Sequence, residues 1–237
     1  MIITFASSKG GVGKSTTCVA LAGAYAKEGA RVHIIDLDNN RTVSRWLADG
    51  ATRPPAITVS APDPQILTEH LQETARHYGP DKILIDVAGN YERALTVAIA
   101  RAHLTIIPAS TTEADIFEAA RIARHIQTIY AAFGKTPLYR VLATRIAPLH
   151  SHAQTHGFSE IVRLKLPLLN TIIFQRAAYE EIGLSGLPPH YAGLDRATTA
   201  KAIAELDQLK GEIETLLLDT YPDEPLSLTT PAAEPAA

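Results

Sequence analysis

The 237-residue chain has one cysteine, one tryptophan and one methionine, and aromatic residues make up only 6% of it. A single thiol, Cys18, excludes an intrachain disulfide framework and a cysteine-rich metal site, so a reducing compartment is expected. Scarce aromatics leave the core to alanine and isoleucine. No apolar run approaches the roughly 18 residues that a membrane-crossing helix needs, so no membrane association is expected. No charged leader precedes the first apolar segment, and the chain is expected to be unprocessed.

What is present is concentrated near the start. The apolar run Ile2-Ile3-Thr4-Phe5-Ala6 leads into Ser8-Lys9-Gly10-Gly11-Val12-Gly13-Lys14-Ser15-Thr16. Glycines let the backbone curl so that successive N–H groups point at one anion. The helix that follows adds its positive N-terminal end, and Lys14 adds a full charge. Ser15 is then placed to ligate Mg²⁺. The residues expected to contact nucleotide are Lys9, Gly10, Gly11, Val12, Gly13, Lys14, Ser15 and Thr16.

Mg²⁺ retains waters that need carboxylates to orient them, and such carboxylates are expected at strand ends. Asp86 closes the apolar run Lys82-Ile83-Leu84-Ile85, the form of a Walker B motif. Asp36-Leu37-Asp38 closes a second run beginning at Arg31. The expected metal set is Ser15, Asp38 and Asp86, with Asp36 anchoring its loop by hydrogen bonding.

The general phosphate-loop pattern asks for glycine at position 8, where this chain has Ser8 and then the additional Lys9. The form K-G-G-x-G-K-[ST] resembles the deviant Walker A motif of the ParA/MinD family, SIMIBI-class P-loop ATPases, most closely its short ParA-type partition ATPases. That resemblance implies an ATP-sandwich homodimer in which Lys9 reaches the partner's nucleotide. It implies three catalytic residues: Lys9 and Lys14 on phosphate, and Asp38 near the attacking water. The chain departs from the family in reading Asp38-Asn39-Asn40-Arg41 where Asp-Pro-Gln is usual. It departs again in Val87-Ala88-Gly89-Asn90, where prolines are common. The stretches Pro108-Ala109-Ser110 with Asp115, and Gln175-Arg176-x-x-Tyr179-x-x-x-Gly183, resemble later family landmarks.

Strands are expected at Ile2–Ala6, 31–36, 82–86, 104–107, 138–143 and 168–173. Helices are expected at 15–28 and near 64–78, 91–101, 113–133, 148–164 and 195–219. Residues 52–62 read as a loop with one short strand, and the segment through Arg45-Trp46 is expected to begin a helix. The alternation predicts an α/β fold: a doubly wound, mainly parallel sheet with helices on both faces. One ATPase domain is expected over 1–220, followed by a disordered Pro/Ala-rich tail over 221–237. His33 is expected to be packed, and Trp46 to be either a partner contact or a core anchor. Thr144 and Arg145 fall at the expected place of the base pocket. The absence of N-K-x-D there favours ATP over GTP.

His150, His152, His156 and Glu160 share one expected helix. The i, i+4, i+8 spacing of His152, His156 and Glu160 spreads over about 12 Å, too far to close on one ion, and predicts a solvated face instead. Net charge is 0 over residues 1–100, +5 over 101–176 and −8 over 177–237, which turns any anionic partner toward the middle segment. Cys18 alone cannot supply the two cysteines per subunit of an iron–sulfur carrier. A MinD-like membrane helix needs a basic polar face, and the last helix has Glu205, Asp207, Glu212 and Glu214. The expectation is an ATP- and Mg²⁺-dependent ATPase for plasmid partition, binding nonspecific DNA as an ATP dimer and stimulated by a ParB-like centromere-binding adaptor. Its expected location is cytoplasmic, on the nucleoid when ATP-bound. The alternatives are a relative that recruits a DNA-transfer complex, or a MinD-like positioning ATPase.

Overall fold

Near-continuous apolar runs place apolar side chains on both faces of one sheet, and the structure, a computed structural model, describes residues 1–48, 53–88, 92–149, 151–193 and 197–223. Seven parallel strands lie in the order β3-β2-β4-β1-β5-β6-β7. They are β1 (Ile2–Ser7), β2 (Val32–Leu37), β3 (Ile57–Ser60), β4 (Lys82–Ala88), β5 (Leu104–Ala109), β6 (Tyr139–Ile146) and β7 (Leu168–Phe174). The chain order reverses beside β1, so the carboxyl ends of β1, β2 and β4 open on one crevice.

Nine helices are described: α1 (Lys14–Lys27), α2 (Thr42–Trp46), α3 (Leu67–Tyr78), α4 (Glu92–Arg101), α5 (Glu113–Ala132), α6 (His152–Arg163), α7 (Ala177–Glu180), α8 (Ile182–Ser185) and α9 (Ala197–Thr220). Alternation within each central strand feeds two cores. Ile3, Phe5, Ile34 and Leu84 pack under α1 and α9, whereas Ile2, Ile35, Ile83 and Ile85 pack under α3, α4 and α5. Burial of this kind stabilises by about 25 cal/mol per Å² of apolar surface, which explains why these strands read as near-continuous apolar runs.

The doubly wound parallel sheet is as expected, and most boundaries agree to within a few residues. The expected helix near 64–78 begins as a single 3-10 turn over Pro64–Ile66, because Pro64 follows Asp63, whose side chain accepts from Gln65 N at 2.8 Å. The expected helix at 148–164 starts only at His152. Ser151 and Gln154 form a reciprocal capping box there and stop it extending backward. Residues 224–237, most of the expected tail, lie outside the described residues. Tyr221 packs on the core and donates to the His103 carbonyl at 3.1 Å.

His33 is packed, as expected from its apolar neighbours. It is 1% exposed, stacks on Tyr78 and bonds Thr58 and Ser60 at 2.7 and 2.8 Å. Three acids of α9 are bonded to neighbouring elements. Glu205 Oε1 accepts from both Nε and Nη2 of Arg176, Glu212 takes the amides of Asn170 and Thr171, and Glu214 pairs with Lys82 at 2.9 Å. They fasten the helix to the sheet.

Candidate nucleotide site

Strand β1 delivers the chain to a loop whose geometry only glycine adopts easily. Gly11 has φ +81° and Gly13 φ +87°, and Gly13 is the N-cap of α1. With no side chain there, the first turn of α1 leaves its amides directed into the crevice. Below the loop, the ends of β2 and β4 bring in the carboxylates. Lys14 Nζ lies 2.8 Å from Asp86 Oδ1 and 3.7 Å from Asp38 Oδ2, and Ser15 Oγ donates to Asp86 Oδ2 at 2.6 Å.

Electrostatics follow from this packing. Burial alone would push the Lys14 ammonium down, but the adjoining Asp86 and Asp38 charges hold its pKa above the ordinary value. Burial pushes the Cys18 thiol well up, with the Asp86 charge adding to the effect, so this cysteine is an inert core residue. Burial also raises Asp36, against the opposing effect of its two backbone hydrogen bonds.

Asp36 has the anchoring role expected of it. It accepts from the amides of Asp38 at 3.1 Å and Ser44 at 2.8 Å, tying β2 to α2. Helix α2 begins at Thr42 and runs through Arg45-Trp46 as expected, after Arg41 turns the chain with φ +47°. Asp38 Oδ1 accepts from Asn40 N at 2.8 Å, an Asx turn that proline at position 39 or 40 would not require. Trp46 is the core anchor of its two readings, packing partly buried with its ring against Gly183. A Cβ at Gly186 would stand 2.2 Å from the Trp46 carbonyl, so glycine is what lets α8 approach α2.

Together these elements enclose a cavity of about 650 Å³ lined by the loop residues Ser8 to Gly11 and Gly13 to Thr17, with Asp38, Asn39, Asn40 and Trp46. Thr144 and Arg145, expected in the base pocket, line it too. Thr144 donates to the Val12 carbonyl at 2.7 Å, and Arg145, at φ +56°, donates to the Gly11 carbonyl. They brace the loop from β6. Val12 is itself buried, with its carbonyl held in this way. Sequence reading missed the opposite wall, Phe174, Gln175, Arg176 and Glu180, because only sheet order brings β7 beside β6. The Gln175…Gly183 stretch was visible as a pattern without a place. Arg176 and Tyr179 bond Glu205, while Gly183 seats Trp46.

Lys9 also lines the cavity, half-exposed, and is ion-paired within its own chain to Asp115 near the start of α5. Ser8 beside it donates to Glu118. Of the stretch Val87-Ala88-Gly89-Asn90, Val87 and Ala88 end β4, and Gly89 and Asn90 lie outside the described residues. His150 lies outside them as well. Glu160 pairs with Arg163 at 2.7 Å, and His152 and His156 are exposed. Arg145 and Arg176, two of the cations behind the +5 charge of residues 101–176, line the same cavity.

The donors fit a small hard cation: one hydroxyl and one buried carboxylate 2.6 Å apart, with a second carboxylate across the Lys14 ammonium. No helix among the described residues is long and apolar enough to cross a membrane.

The profile of the VirC1 protein family matches residues 1–208. The virC1 protein of Rhizobium radiobacter is 29% identical over 189 residues, covering 78% of this chain and 81% of that protein. The ParA protein of Rhizobium radiobacter is 26% identical over 205 residues, covering 85% and 90%. Among solved structures, the MinD cell division protein of Aquifex aeolicus superposes with a TM-score of 0.66 at 20% identity, covering 89% of this chain and 96% of that one.

Proposed function

The chain belongs to the VirC1 protein family among the ParA/MinD ATPases, and from that premise we propose that it hydrolyses ATP to switch between a DNA-bound dimer and a released form. The observation that carries the reading is the convergence of Lys14 and Ser15 on Asp86, with Asp38 3.7 Å from the same ammonium, beneath a glycine loop. In this reading Lys14 exchanges its carboxylate partners for phosphate oxygens when nucleotide enters. The loop amides and the α1 N-terminus hold the remaining phosphate charge.

Ser15, Asp86 and Asp38 would hold Mg²⁺, which neutralises charge on the phosphates when bound. Asp38 orients the attacking water and accepts its proton. Lys9, delivered from the partner subunit, stabilises the charge of the transition state. Two cations from two chains on one triphosphate make pairing depend on nucleotide. Contact with DNA is through phosphates, without base reading, and a small DNA-bound adaptor of the ParB kind stimulates turnover.

A second reading keeps the switch and changes the cargo to a DNA-transfer complex. It is favoured by the VirC1 family match and by the unusual stretch Asp38-Asn39-Asn40-Arg41. Measuring ATP turnover with and without DNA, alongside DNA mobility shifts in ATP and ADP over a salt series, tests what the two share. A shift that is selective for ATP and lost at high salt supports the cycle. Absence of turnover under every condition refutes it. Pull-down against a centromere-bound adaptor and against a DNA-transfer complex separates the cargoes.

A further inference from the structure

Lys9 and the residue before it are both tied to one helix of their own chain. Lys9 pairs with Asp115, and Ser8 donates to Glu118, three residues farther along α5. Asp115 has other donors as well. It accepts from Ser110 Oγ, and its own amide bonds the N-cap Thr112. The Asp115 side chain is 8% exposed and that of Lys9 44%, so the carboxylate is fixed and the lysine is the member free to leave. Burial pushes the Asp115 carboxyl up, but the bonds from Lys9 and Ser110 prevail and hold it below the usual carboxylate range.

We propose that Asp115 is a positioning residue for Lys9, holding it in cis on α5 so that the dimer closes only when a partner's triphosphate draws the lysine away. The inference rests on the reading that Lys9 acts in trans. In this proposal the Lys9 ammonium gives up the carboxylate of its own chain when it reaches across to a phosphate on another chain. Each dimer contact therefore opens an intrachain ion pair. A diphosphate offers no γ-phosphate in exchange, so the pair discriminates between ATP and ADP by differential affinity. Once released, Asp115 keeps Ser110 and the positive end of a 20-residue helix, so it is not left without compensation and the latch is reversible.

The test is the dimer fraction of the full chain, measured by light scattering against ATP and ADP. Asp115→Asn keeps the shape and removes the charge. It is expected to lower the ATP concentration for half-dimerisation by about fivefold, the upper scale of an exposed ion pair, and to allow measurable dimer in ADP. In a Lys9→Ala background the same substitution is expected to change nothing. Ser110→Ala, which removes a competing donor, is expected to tighten the latch and raise the ATP requirement, and it provides the readout if Asp115→Asn does not fold. An unaltered curve for either variant, or an equal shift with and without Lys9, overturns the latch. If Lys9→Ala itself dimerises like the wild type, the trans reading falls and takes the latch with it.

Discussion

Lys14 and Asp86 are 72 residues apart in the chain and 2.8 Å apart in space, and neither is exposed beyond 8%. An ammonium buried this deeply is stable only while its counter-charge is present. Asp86, at 0% exposure, depends on Lys14 in turn.

Lys14→Ala is therefore expected to abolish ATP binding and also to destabilise the nucleotide-free protein by about 3 kcal/mol, through the uncompensated Asp86. Adding Asp86→Asn should recover most of that loss without restoring binding. Urea denaturation and nucleotide titration of the single and double variants check both parts. Unchanged affinity in Lys14→Ala would refute the phosphate-cradle assignment.

Asp38→Ala is expected to bind ATP and to slow turnover by roughly 10²–10⁴, the range for loss of a general base, with the dimer accumulating. Lys9→Ala is expected to bind nucleotide but lose ~10³–10⁵ in rate, as when a trans-acting cation is removed. Single-turnover hydrolysis together with light scattering distinguishes them, since only the first should be trapped as a dimer. Undiminished turnover in Asp38→Ala would take that residue out of the mechanism.

Burial, reinforced by the neighbouring His70, lowers the His33 pKa from its ordinary 6.5 to about 4. Burial also lowers His70. A base with a depressed folded value costs nothing while both states are neutral. As pH falls below 6.5 the unfolded chain takes up the proton first, so stability declines until about pH 4, by about 3 kcal/mol for His33. His33→Gln should flatten that part of the pH dependence. Urea midpoints at pH 7.5 and 4.5 for wild type and variant provide the measurement, and parallel declines would contradict it.

Gly186→Ala meets two obstacles at once, a left-handed φ of +69° and the Trp46 carbonyl 2.2 Å from the new Cβ. Separation of α8 from α2 is expected, with a loss of about 1–3 kcal/mol and weaker ATP affinity, because Trp46 lines the cavity. Thermal melting and Trp46 fluorescence report the two effects. A wild-type spectrum together with wild-type affinity would show that the contact is unimportant.

Local chemistry is legible wherever it is carried by neighbours in the chain. Gly11, Gly13, Lys14 and Ser15 form one short loop, so their joint use was readable before any fold was known. Asp86 and Asp36 were readable as strand-end carboxylates, because an apolar run that stops at an acid has few other uses. The partners of the α9 acids were not legible, for the complementary reason. Glu205, Glu212 and Glu214 look like solvent-facing charges along the helix, and only the packing of α9 on β7 and α1 gives them partners.

By itself the sequence determined the glycine loop between β1 and α1, the parallel α/β class and the two carboxylates at the strand ends, since each depends on residues close in the chain and on backbone rules that act locally. Tertiary structure alone decided what each charge faces. Lys9 meets Asp115 across 106 residues and Thr144 meets the Val12 carbonyl across 132, contacts created by the strand order β4-β1-β5-β6. Ion pairs act over a few ångströms of space whatever the separation along the chain, so they become visible only once the sheet has been assembled.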